Sequence, residues 1–196
     1  NPLLQYMDKG ITATEHITAG RMVVESGISL SEYVILGLGG KKMWREHATE
    51  TARVLNEVNP AFIRVRTLAI NHRMPLHDEI ENSNFIRATD EQIVEEERLF
   101  IERLDCHSNL VSDHVTNLLP EIEGTLPRDK GKILACIDRF QALSPEEKAN
   151  FKLGRRMGIY IRLDDLGNSN KQQLVEQLTN HIKRDNNQED DKTIYT

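Results

Sequence analysis

The apolar residues in the first third of the chain alternate between helical and β-like patterns. Thr12-Ala13-Thr14-Glu15 matches a capping box, so we expect a helix from there to Gly27. Residues 28–36 then predict a strand, whose last four residues, Tyr33-Val34-Ile35-Leu36, are an apolar run typical of a buried strand and end at Gly37-Leu38-Gly39-Gly40. The segment 44–57 is again helical. A buried strand that stops at glycines and continues into a helix is half of an α/β unit, and ligands bind at the carboxyl ends of such strands.

A second unit of the same kind follows. The break at Asn59-Pro60 precedes an alternating, β-rich stretch at 61–68, which we interpret as a second strand. Helix, strand, helix and strand joined by short links imply parallel strands with right-handed crossovers. The loop 69–88 is long for a compact domain and is typical of a lid or binding segment.

The third unit carries an acidic helix. Thr89 caps a helix that runs to about Leu104, and we expect its carboxylates to form a solvated outer face. Residues 108–112 predict a short third strand, which ends at Asp113-His114.

The remaining residues are mainly helical. We expect helices over 115–122, 126–143, 144–158 and 169–184. The predicted organisation is therefore an α/β region over residues 1–114, a helical extension over 115–184, and a flexible acidic tail over 185–196.

Composition narrows the class of protein. The 196 residues are 38% hydrophobic and 29% charged, with a net charge of −6, so nucleic acid is not an expected partner. No apolar run reaches the roughly 20 residues that span a bilayer, and no signal peptide is present, so we expect a cytoplasmic protein without a membrane partner. Cys106 and Cys136 fit no metal spacing, and we interpret them as buried, reduced thiols.

Several motifs occur in the order found in one known family. These motifs are Lys9-Gly10, Ile28-Ser29-Leu30, Ile35-Leu36-Gly37-Leu38-Gly39-Gly40, Glu46-His47, Asn59-Pro60, Phe62-Ile63-Arg64, Arg66-Thr67-Leu68, Ser112-Asp113-His114, Asn117-Leu118-Leu119, Glu123-Gly124, Leu126-Pro127 and Leu153-Gly154-Arg155-Arg156. On these motifs, from Asn1 to about Leu166, the chain resembles the C-terminal half of radical S-adenosylmethionine (radical SAM) proteins.

The resemblance implies half of a (β/α)₆ barrel, followed by the helical extension. In the intact family protein, a [4Fe-4S] cluster held by a CxxxCxxC motif binds SAM and splits it to a 5′-deoxyadenosyl radical. No CxxxCxxC occurs in this sequence. We therefore expect a fragment whose missing partner is the N-terminal half of the barrel. This chain alone is expected to be inactive and to hold neither SAM nor the cluster stably.

The resemblance also implies roles for individual residues. Ile35 and Gly37, with Gly39 in the same turn, would lie beside the adenine of SAM. Arg66, Thr67 and Leu68 at the end of the next strand would border the adenine edge or the substrate. From their own positions in the chain, Arg64, His72 and His114 are further candidates for substrate contacts, and His114 could instead be a proton donor.

Plainer interpretations stand beside these roles. The glycines could form a simple strand–helix turn, Arg64 and Arg66 could pair with acidic neighbours instead of an anionic ligand, and Asp113 could cap a following helix. The alternative function is a non-catalytic α/β interaction module. A half barrel leaves strand edges open, and such edges could pair in a homodimer.

Overall fold

The chain contains two compact units, Asn1–Gln141 and Ala142–Thr196. The computed structural model describes the backbone of residues 2–193 and the side chains of residues 2–181. The elements that begin in the first unit are α1 (Pro2–Tyr6), α2 (Ala13–Glu25), β1 (Ser31–Leu36), α3 (Gly40–Val58), β2 (Phe62–Thr67), α4 (Pro75–Glu81), α5 (Asp90–Arg103), β3 (Asn109–Val111), β4 (Gly124–Thr125) and α6 (Lys130–Ala142).

The four strands form one sheet in the order β1-β2-β3-β4. Strand β1 pairs in parallel with β2 from Ser31↔Phe62 to Leu36↔Thr67, and β3 pairs in parallel with β2. The short β4 is antiparallel to β3. A mixed α/β fold with parallel strands is therefore confirmed, and the partial barrel stays a prediction.

The two faces of the sheet differ in character. On the inner face, Val34, Leu36, Ile63, Val65 and Leu110 are buried. Helices α3 and α5 pack against each other and contribute the apolar side chains of this core: Ala48, Ala52, Leu55, Val58, Val94, Phe100 and Ile101.

The opposite face, which we call the open face, is more polar. Tyr33 lies there and is 61% exposed. Its neighbour across the strand pair is Arg64, and Ile35 pairs with Arg66 in the same register. Because side chains alternate along a strand, these positions share one face.

Local signals set the helix starts as predicted. Thr12, Thr89 and Ser144 each accept a hydrogen bond from the backbone N–H three residues on, in complete capping boxes. Helix α3 ends at Val58, and its C-cap residue Asn59 adopts a left-handed conformation before Pro60.

Other helical predictions are wrong. Residues 115–122 form turns rather than a helix, so residue 113 precedes no helix that it could cap. The long segment 69–88 contains the short helix α4, and the predicted helix at 126–143 begins only at Lys130.

The charged face of α5 is the main correction to the predicted burial pattern. Glu96 is completely buried and Glu97 is 5% exposed, although both were expected in solvent. Glu95, the preceding residue, is exposed as predicted.

The second unit contains α7 (Pro145–Arg156), a short 3₁₀ helix (Leu163–Gly167) and α8 (Ser169–Thr193). Tyr160 lies at its core, stacked on Phe151 at 6.1 Å between ring centroids. Residues 115–141, predicted to belong to the helical extension, lie in the first unit. The predicted tail 185–196 continues helix α8 to Thr193, and its last three residues lie outside the described part of the chain.

No helix within the described residues has the length and apolar character needed to cross a membrane.

The turn between β1 and α3 allows a first prediction. Gly40 has φ +52, and a Cβ added there would lie 2.7 Å from the carbonyl oxygen of Ile86. We expect Gly40→Ala to lower the free energy of unfolding by at least about 1–2 kcal/mol, measured by urea denaturation. Gly131→Ala is the matched control, because Gly131 lies in α6 with open space around its Cβ position. This control should raise the stability, since alanine favours helix. Equal effects of Gly40→Ala and Gly131→Ala on stability would show that the conformation and packing at position 40 do not require glycine.

Candidate functional site

Two arginines and one aspartate form an ion-pair cluster on the open face. Arg64 Nη1 donates to Asp113 Oδ2 at 2.9 Å, and Arg66 Nη1 donates to Asp113 Oδ1 at 2.7 Å. The hydrogen bond from Arg66, above all, holds the pKa of Asp113 below its usual range. Asp113 is therefore the acidic partner of both guanidinium groups, as the plainer interpretation expected. Two guanidiniums and one carboxylate leave a local charge of about +1.

A buried asparagine joins the ends of β2 and β3. Asn117 Nδ2 donates to the Val65 carbonyl and to Ser112 Oγ, both at 2.9 Å. Its Oδ1 accepts a hydrogen bond from Thr67 Oγ1 at 3.2 Å. Asn117 and Ser112 occur in the motifs given above, but they were not among the candidate site residues, because the pattern at 115–122 predicts a helix and gives no separate role to Asn117.

His114 lies at the same end of the sheet. Its Nδ1 is 2.6 Å from Thr116 Oγ1, and that hydroxyl donates to the Thr67 carbonyl at 3.3 Å. The half-buried imidazole is thus tied to the end of β2, where the resemblance would put a ligand.

The three glycines of the β1–α3 turn each have a structural reason. Gly37 has φ +87, and Gly40 has the close approach to Ile86 described above. A Cβ on Gly39 would lie 2.6 Å from the backbone carbon of Met43. Backbone conformation and packing therefore require these glycines, whether or not a ligand approaches them.

A buried carboxylate supports this turn. The Gly37 N–H donates to Glu96 Oε2 at 2.8 Å. The second oxygen of Glu96 is hydrogen-bonded to His47 Nδ1, and the His47 side chain is 11% exposed. Sequence reasoning missed this pair, because it assigned the carboxylates of the acidic helix, Glu96 among them, to a solvated outer face. The available signal was the position of Glu96 four residues before the apolar Phe100, which places both on one face of α5.

An open groove runs along the outer edge of β1. Its volume is about 700 Å³, and residues 32–35 of β1 are among the residues that line it. No β2 residue lines it, so the groove follows the edge that has no neighbouring strand. The other walls come from α1, α2 and α3, and they include His16, Glu46 and His47.

The structure brings most of the predicted cofactor residues together. Ile35 is half-buried on the open face and also borders the groove. The Leu68 N–H donates to the Leu36 carbonyl at 2.9 Å, and the Leu68 Cβ lies 3.4 Å from the Cβ position of Gly37. His72 is exposed in the loop after β2, and no described hydrogen bond or ion pair links it to these residues.

The residues of this chain do not fit an iron–sulfur cluster. Cys106 is buried, and burial raises the pKa of its thiol, which disfavours the thiolate that iron needs. Cys136 is only partly buried, contrary to the prediction. Within the described residues, no three His, Cys, Asp or Glu side chains converge as a metal site.

Comparisons with protein-family models, curated proteins and solved structures found no match for this chain. The radical SAM resemblance therefore rests on the motifs alone.

Glu97 lies beside Glu96 and is strongly perturbed. Burial raises its pKa to about 8, with further contributions from the charges of Glu96 and Glu121. The unfolded chain would release this proton near its ordinary pKa of 4.5. Above that pH the unfolded state binds fewer protons than the folded state, so stability falls as the pH rises, until it levels off above about 8.

We expect Glu97→Gln to remove this part of the pH dependence, because the amide does not ionise. Urea denaturation at about pH 5 and about pH 8 should show a larger stability loss for the wild type than for the variant, by at least about 1 kcal/mol. Glu95→Gln, the exposed neighbour on α5, is the control and should keep the wild-type slope. If the pH dependence of stability in Glu97→Gln equals that of the wild type, Glu97 is not the group responsible for it.

Proposed function

We propose that this chain is the C-terminal half of a radical SAM barrel with its helical extension. In the intact protein it would supply the adenine-side wall of the SAM site and part of the substrate site. The observation that carries the proposal is the order of the sheet: three consecutive parallel strands are neighbours in chain order, joined through helices. A doubly wound sheet reverses its strand order at the ligand site, whereas a barrel does not.

The asymmetry of the two sheet faces supports the same proposal. A doubly wound sheet is covered by helices on both faces. Here the inner face is buried, whereas Tyr33 on the open face is largely exposed and Arg64 and Arg66 beside it remain partly exposed. In a barrel, that face would line the lumen.

The proposed roles follow from the positions of the side chains. Ile35 would contact the adenine, while the Gly37 N–H is already bonded to Glu96 and would serve only to shape the turn. The net positive charge around Arg64 and Arg66 suits a carboxylate of SAM or substrate. His114, Thr67 and Leu68 would border the ligand at the strand ends. Gly39 would contribute only to the shape of the β1–α3 turn. His72 is the weakest candidate, because no described contact links it to the other candidate residues. The cluster would have to come from the other half of the barrel.

The gene provides the first test. We expect the reading frame upstream of Asn1 to encode a CxxxCxxC motif and further βα units. The intact protein, purified without oxygen and reconstituted with iron and sulfide, should then form 5′-deoxyadenosine from SAM in the presence of a reductant. A reading frame without those cysteines would overturn the proposal.

Within that intact protein, Arg66→Gln tests the open face. Loss of a charge-assisted contact to the ligand should weaken SAM or substrate binding about tenfold or more, measured by isothermal titration. Arg87→Gln is the matched control, because Arg87 is an exposed arginine outside the cluster. Equal affinities for the two variants would exclude a role of Arg66 in binding.

A second candidate is an interaction module that dimerises through the outer edge of β1. The groove around that edge favours it, because an unpaired strand edge readily accepts another strand. Part of its acidic wall is paired: Arg53 lies 3.0 Å from Glu50, and His16 lies within hydrogen-bond distance of Glu32, at 3.2 Å. A second copy could therefore approach without full repulsion.

Light scattering on the 196-residue chain tests this second candidate. We expect a dimer, and we expect Ile35→Glu to give a folded monomer because it places a charge beside the edge. Val115→Glu is the control, since Val115 is 87% exposed and is not among the residues that line the groove. A wild-type monomer at micromolar concentration would contradict dimerisation.

A further inference from the structure

The complete burial of the Glu96 carboxylate needs a structural explanation, which pairing with a neighbouring charge alone does not give. Burying a carboxylate is costly unless its oxygens are hydrogen-bonded. At position 96 the helical pattern of α5 would accommodate an apolar side chain, because Phe100, four residues on and therefore on the same face of the helix, is a core residue. A glutamate that is completely buried at such a position must satisfy a polar group that an apolar residue would leave unpaired.

That polar group is the backbone N–H of Gly37. The residue is buried, and its left-handed conformation ends the β1 pairing pattern. Without Glu96 Oε2 at 2.8 Å, this N–H would have no hydrogen-bond acceptor among its described contacts. Buried backbone donors are almost always paired, so the carboxylate determines where this turn can sit.

The side chain of His47 holds the carboxylate of Glu96 in place. Its Nδ1 bonds the second oxygen of Glu96, so the end of β1, helix α3 and helix α5 meet at one side chain. The turn held in this way lies directly beside the end of β2, because Leu68 bonds Leu36 and contacts the Gly37 position.

We propose that Glu96, oriented by His47, is a positioning residue that sets the geometry of the Gly37 turn and thereby the binding edge formed by the ends of β1 and β2. The chemical class of ligand at this edge, an adenine nucleoside, rests on the proposed function. The positioning role of Glu96 does not rest on the proposed function, and it can be measured without any ligand.

Amide hydrogen exchange in the 196-residue chain is the primary experiment. In Glu96→Ala we expect the Gly37 N–H to exchange about tenfold faster or more, while the Val65 N–H in the sheet centre keeps its wild-type rate. Glu96→Gln retains an acceptor oxygen and should show a smaller effect. His47→Gln leaves the Gly37 acceptor in place and should fall between Glu96→Gln and the wild type.

The control is Glu95→Gln, which changes the exposed neighbouring carboxylate and should leave Gly37 exchange unchanged. Equal acceleration at Gly37 and Val65 would mean a purely structural role and would overturn the proposal, as would wild-type exchange in Glu96→Ala. If Glu96→Ala does not fold, Glu96→Gln and His47→Gln carry the same comparison.

Nucleoside binding separates this proposal from the proposed function. Titration of the intact protein with SAM should show weaker binding in Glu96→Gln than in Glu95→Gln. A local exchange effect without any SAM binding, even in the wild type, would refute the radical SAM assignment and leave the positioning role standing. SAM binding that is equal in both variants would show that the turn geometry does not govern the ligand.

Discussion

The in-register parallel pairing of β1 with β2 is the constraint on which the rest of the structure depends. Six residue pairs, from Ser31↔Phe62 to Leu36↔Thr67, determine which side chains face the helices and which face outward. A slip by one residue would bury Arg64 and Arg66 and expose Ile63 and Val65. The same register brings the two strand ends together, so the Gly37 turn and Leu68 become neighbours.

The elements with local signals could be predicted from the sequence. Strands β1 and β2 are marked by apolar or alternating runs, and the starts of α2 and α5 by complete capping boxes. Their parallel pairing followed from the order of elements. The pairing of Arg64 with an acidic neighbour was one of two interpretations, and the structure identifies Asp113 as that neighbour.

The elements that depend on tertiary contacts could not be predicted. The apolar residues at 115–122 suggested a helix, but the side chain of Asn117 bonds the β2 backbone and holds this segment in turns. Glu96 and Glu97 belong to a helix with many charges, and counting charges cannot show which ones point inward. Their burial depends on partners that are distant in sequence, such as Gly37 and His47.

The strand register also has a consequence for the order of folding. Residue 31 pairs with residue 62, and residue 62 pairs with residue 109, so both strand contacts join distant parts of the chain. Helices α2 and α5 carry their start signals within four residues, and such local structure forms faster than non-local pairing. We therefore expect helical segments to form first, β1 and β2 to close around α3 next, and β3 to join last. Until the sheet is complete, the apolar side chains of its strands are exposed to solvent. Slow closure of the sheet is therefore the folding step at which aggregation is most favoured.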